Sequence, residues 1–193
     1  MMRTRIAITV ALASALALST ACEDQQAAAD LTPLPAVAAP PYICDQIPLK
    51  AVELMTGVRK PLVRGFFDLS ADVGDGSCAV YRRDGDRLKV LQVILTPARV
   101  PGEVEEELEG ATPLPEIVPG SIGYYFKDPH KEKYAAQAVL ARGKAELTVQ
   151  LVYGVKGRDN AADVLALMKL IAPKLITAAS APSPSAAASP KGK

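Results

Sequence analysis

The sequence predicts an α+β domain: an antiparallel sheet of about five strands with N- and C-terminal helices packed on one face. Three observations lead there. Apolar residues recur at helical spacing near both ends of the central region, at Leu49/Val52/Met55 and at Val164/Met168/Ile171/Leu175. Between these ends lie short strand-like runs separated by Gly-, Asp- and Pro-containing turns. The flanks, 22–41 rich in Ala and Pro and 178–193 rich in Ala, Pro and Ser, lack any apolar period, which confines the single domain to 42–177.

At the N-terminus, Arg3 and Arg5 precede an apolar run from Ile6 to Leu18 and the small residues Ser19-Thr20-Ala21. That is the layout of a signal peptide over 1–21, too short to span a bilayer as a stable helix. A cysteine follows directly, and Leu16-Ala-Leu-Ser-Thr-Ala-Cys22 resembles the bacterial lipobox, in which the cysteine is acylated and becomes the mature N-terminus. Where that motif usually has Leu, three places before the cysteine, this chain has Ser19, with Leu18 one step earlier. Ordinary signal cleavage would instead give a secreted protein. An uncleaved anchor is the third alternative, and each route takes the domain outside the cytoplasm. Residues 22–41 then read as an Ala/Pro-rich tether, reaching up to roughly 60 Å if extended.

Within the domain, Pro48 suits the first turn of a helix and Gly57 its stop, so Cys44 sits just before helix one. Leu62–Leu69 is a plausible strand. Asp72-Val-Gly-Asp-Gly76 is a turn cluster, and Cys78–Arg82 opens the next strand. Asp84-Gly85 predicts a hairpin into Leu88–Leu95, which is apolar on both faces and therefore central. Residues 97–121, with five prolines and the acidic run Glu103–Glu109, read as one long connection. Tyr134–Ala141 and Ala145–Tyr153 form a second hairpin over Arg142-Gly143. Asp159 or Asn160 caps the last helix, which Pro173 should end or kink. The tail 178–193 is low in complexity.

Charge excludes some functions. The chain has 22 basic and 21 acidic residues, and losing 1–21 leaves 20 against 21. A nearly neutral protein has no broad basic face, which argues against nucleic acid as a partner. Trp is absent, which argues against a carbohydrate platform of exposed indoles. With Cys22 taken by lipid, Cys44 and Cys78 remain as an even pair in an oxidising compartment. A disulfide between them would contribute roughly 3–4 kcal/mol by restricting the unfolded chain. A metal site and a reactive thiol are the alternatives, but two distant cysteines and one histidine make a poor zinc set.

Candidate chemistry is sparse. His130 lies in the charged turn Lys127-Asp-Pro-His-Lys-Glu-Lys133 and reads as a solvated loop residue. Ser121 falls short of a nucleophile elbow because position 119 is Pro, not Gly. Asp72 and Asp75 lack the remaining acids of a calcium loop. No cofactor or metal is expected. For contact with a partner, the candidates are Glu103, Glu105, Glu106 and Glu107 in the long connection, and Tyr124, Tyr125 and Phe126 beside it.

The lipobox, the Ala/Pro tether, Cys44 before a helix ending in Gly57, Cys78 opening a strand and Val118-Pro-Gly-Ser-Ile-Gly123 together resemble a known family. It is the actinobacterial lipoproteins of the domain-of-unknown-function 3558 family, and the resemblance covers about residues 42–176. Members commonly carry an aromatic two places after the second cysteine; here that place is Val80, followed by Tyr81. The resemblance implies a cell-envelope lipoprotein without an assigned reaction, and pairing of Cys44 with Cys78. The expected function is a non-catalytic binding module held on the outer face of a membrane by its N-terminal lipid, meeting an envelope protein. Alternatives are a carrier of a hydrophobic or lipid ligand, marked by an interior cavity, and a hydrolase working through His130 or carboxylates.

Overall fold

The computed structural model describes residues 30–70, 73–84, 87–97, 111–126 and 135–178. The leader, Cys22, Asp72, Gly85, His130 and residues 98–110, with Glu103, Glu105, Glu106 and Glu107, lie outside the described residues.

A small ribbon of β1 (Tyr42–Ile43) and β2 (Ile47–Pro48) leads straight into α1 (Leu49–Thr56). Pro48 stands at the N-cap, where its missing N–H is no loss, and Gly57 closes the helix in the left-handed region at φ 70°. The main sheet follows with β3 (Leu62–Asp68), β4 (Asp75–Tyr81), β5 (Lys89–Pro97), β6 (Thr112–Pro113), β7 (Ile122–Phe126), β8 (Ala136–Arg142) and β9 (Ala145–Leu151). Last comes α2 (Asn160–Leu175). Asp159 caps α2 by accepting the Ala162 N–H at 3.0 Å, and Pro173 lies in its final turn, where the helix continues only to Leu175.

The fold is α+β, and its sheet has seven antiparallel strands, ordered β3-β4-β5-β9-β8-β7-β6, rather than about five. The two additional strands, β6 and β7, come from the region around the expected long connection. In Ile122-Gly-Tyr-Tyr-Phe126 no polar residue alternates with the apolar ones, so the period-two signal is missing. Pairing with β8, from Ile122 opposite Ala141 to Phe126 opposite Gln137, makes it a strand. The hairpin β8–β9 and the central place of β5, between β4 and β9, match the sequence expectation.

Alternation of side chains across each strand divides the sheet into two faces. On one, Cys78, Val80, Leu91, Val93, Leu147 and Val149 join Met55 of α1 and Leu167, Met168 and Ile171 of α2 in the main core. Each fully buried Leu, Ile or Met there stabilises the fold by roughly 1.5–3 kcal/mol. On the other face a smaller cluster holds Tyr124, Val139 and Ala141, with Ala111 and Phe126 against it.

Backbones crowd where β3 meets β4. A Cβ on Gly65, at φ 103°, would stand 2.0 Å from the Ser77 carbonyl oxygen. Gly120 also has a positive φ, 76°, but faces open space. Gly65→Ala is therefore expected to cost about 2–4 kcal/mol, combining a clash with backbone strain. Gly120→Ala should cost about 1 kcal/mol, from strain alone. Urea unfolding of the two variants measures the difference, and equal losses would contradict the crowding argument.

Candidate functional site

The described residues form a body with a fastened N-terminal arm. Its first fastener is Arg158, in the loop between β9 and α2. The guanidinium donates through Nε and Nη2 to both carboxylate oxygens of Asp163, each at 2.7 Å, and the two side chains are 4% and 7% exposed. Nη1 donates to the carbonyl oxygens of Asp30 and Thr32, far away in sequence, each at 2.8 Å. A planar fork is suited to this, since it grips a carboxylate with two donors and still offers a third nitrogen. Hydrogen bonding to Asp163 raises the Arg158 pKa above its ordinary value, against the opposing effect of burial, so the guanidinium stays charged. Asp163 stands in the first turn of α2, where the helix dipole favours a carboxylate.

The arm therefore differs from the free tether expected over 22–41. From residue 30 it runs alongside α2. Thr32 donates to the Asp30 carboxylate at 3.0 Å, which, with smaller contributions from Lys50 and Arg158, holds the Asp30 pKa below the usual range. Leu34 and Ala38 pack against the main core. The Tyr42 hydroxyl donates to the Ala38 carbonyl at 3.1 Å, and Lys174 Nζ, in the last turn of α2, lies 4.0 Å from the Tyr42 ring centroid. The Leu49 N–H, at the start of α1, donates to the Pro41 carbonyl at 2.9 Å. Apolar spacing did not reveal this because the arm has no secondary structure of its own; Leu34 and Ala38 are anchors four apart in an irregular chain.

The second fastener is the disulfide Cys44–Cys78, with Cα atoms 6.1 Å apart and a separation of 34 in sequence. Cys44 adopts φ 45° in the turn between β1 and β2, while Cys78 is fully buried in the middle of β4. The bond thus pins the end of the arm to the helix-covered face of the sheet.

The other sequence candidates separate. Tyr124 and Phe126 share the smaller cluster, edge to face with centroids 5.4 Å apart, and Tyr124 is 3% exposed. Tyr125 points the opposite way, against the main core. The three aromatics do not form one surface. Ser121 is a turn residue, as its sequence context implied: its N–H donates to the Val118 carbonyl at 2.9 Å, and its hydroxyl accepts from the Val118 N–H at 3.3 Å. Asp75 opens β4 opposite Asp68. Among the described residues no group of three or more His, Cys, Asp or Glu could hold a metal ion.

Compared with protein-family models, with curated proteins and with solved structures, the chain shows no match. Among the described residues no helix is long and apolar enough to cross a membrane.

Two outcomes are expected of the fasteners. Arg158→Met leaves Asp163 buried without its partner, so stability should fall by about 3–5 kcal/mol, and amide exchange across residues 30–38 should accelerate. Unchanged exchange there would show that the arm holds without the guanidinium. Replacing Cys44 and Cys78 together by Ala should cost about 3–4 kcal/mol in urea unfolding.

Proposed function

We propose that this chain is an extracytoplasmic lipoprotein, a non-catalytic binding module acylated at Cys22 and acting at the outer surface of a membrane. The observation that carries the reading is the Cys44–Cys78 disulfide, which pairs two of the three cysteines and leaves only Cys22 without that role. A structural disulfide belongs to an oxidising compartment, and export is what the signal-like residues 1–21 provide. The surplus cysteine then stands where a lipobox would place the acylated residue. The resemblance to the domain-of-unknown-function 3558 lipoproteins supports the same reading. The arm fits it too, since the chain is already fastened to the body at residues 30 and 32, a few positions after Cys22 in sequence.

Intact mass of the membrane-fraction protein tests this. The expected species begins at Cys22, carries acyl chains, and exposes two alkylatable thiols only after reduction. A chain beginning elsewhere without acyl mass would overturn the anchor. Thiols free from the outset would remove the argument for export.

A further inference from the structure

Net charge hides a strong polarity. Because all sheet neighbours are antiparallel, the strands' ends collect at two poles. Leu62, Tyr81, Lys89, Leu151 and Ala136 lie at one; Asp68, Asp75, Pro97, Ala145 and Arg142 lie at the other. At the first pole the connections into β3, from β4 to β5 and out of β9 carry Arg59, Lys60, Arg82, Arg83, Arg87 and Lys156, all exposed. Arg83 Nε donates to the Lys60 carbonyl at 2.7 Å, which holds two of these connections side by side. Among the described residues the exposed acids here are Asp84, Asp159 (the cap of α2) and Asp30. At the opposite pole the described acids Asp68, Asp75 and Glu146 face Arg142 and Lys144.

Two further features mark the basic pole. Large apolar side chains are exposed there, Leu31 (57%), Leu88 (45%) and Tyr153 (53%), while Phe66 of β3 and Ile122 of β7 are exposed toward the other end of the sheet. The arm is also clasped there, because Arg158 follows β9 and holds Asp30 and Thr32. Only seven residues, 23–29, separate Cys22 from Asp30. Even fully extended they span under about 30 Å, so an anchor at Cys22 holds the body close to the bilayer by a lead that joins it at this pole.

We propose that the basic pole is a docking surface for the anionic headgroups of the membrane that holds the chain's own N-terminal anchor. The proposal rests on the lipoprotein reading for its geometry. Cations beside exposed Leu and Tyr are the composition of an interfacial membrane contact, with charge attracting headgroups and apolar side chains entering the acyl boundary. Beside a lipid anchor, a basic patch is a recognised further contribution to membrane binding. Clasping the arm at this pole shortens the free tether and orients the body, so the acidic pole is the one presented outward.

The test uses the mature chain, residues 22–193, made as Cys22→Ser so that no acyl chain contributes, in cosedimentation with vesicles. Binding is expected to phosphatidylglycerol-containing vesicles and not to pure phosphatidylcholine, and it should weaken as salt screens the surface charge. Replacing Arg59, Arg82 and Lys156 by Gln should lower the partition coefficient roughly a hundredfold, whereas Lys144→Gln, at the acidic pole, should leave it unchanged. Equal binding to both vesicle types, no binding, or a triple variant that binds like the parent overturns the proposal. So does heparin binding as tightly as the anionic vesicle through the same three residues, which would assign the surface to a soluble polyanion. Because acylation plays no part in the assay, failure here is separate from failure of the anchor, which intact mass reads at Cys22.

Discussion

The buried ion pair between Arg158 and Asp163 is the constraint on which the arrangement of the arm depends. Two charges removed from water are costly unless both are hydrogen-bonded. Here the carboxylate receives two donors and the remaining guanidinium nitrogen takes two backbone carbonyls from residues 30 and 32. The arm thus helps to satisfy the very group that holds it. Without the arm, the outer nitrogen of Arg158 would need water in its place. Without Asp163, the arginine would have no reason to remain in so enclosed a position.

The disulfide complements this contact by different physics. The ion pair acts in the folded state, through geometry and low dielectric, whereas the Cys44–Cys78 bond acts chiefly by restricting the unfolded chain. Arg158 grips the beginning of the arm at the basic pole; the disulfide secures its end, where β1 turns back into β2 and α1. Between them Leu34, Ala38 and Tyr42 need contribute only modest packing to keep the segment seated. An irregular segment of about a dozen residues is costly in conformational entropy, and fastening both ends reduces the states it can visit.

Antiparallel topology also explains how a chain of near-zero net charge acquires poles. Residues distant in sequence, such as Lys60, Arg83 and Lys156, meet because each sits at the same end of its own strand. Composition averages them with the acids of the opposite end. Charge counting therefore excluded a broad basic face but was blind to a local one.

Local structure was legible in the residues wherever a single position carries the signal. Gly57 stops α1 because its left-handed conformation excludes most side chains, and Asp159 starts α2 because its carboxylate meets a free N–H three residues on. The even cysteine pair was legible for the same kind of reason, since redox compartment and count constrain it without a fold. Strand β7 was not legible, because its aromatics lie on both faces and only pairing with β8 makes it extended; that same alternation separates Tyr125 from Tyr124 and Phe126. Nor could the arm be read. Its main contact joins residues 128 apart in sequence, and nothing in Asp30 or Thr32 identifies them as partners of an arginine. By itself the sequence determined the two helices with their caps, the five strands that carry a local signal and the available covalent staple, because those follow from neighbours along the chain. Tertiary structure alone decided strand order, the seating of the arm and the sorting of charge into poles, because those depend on which distant surfaces meet.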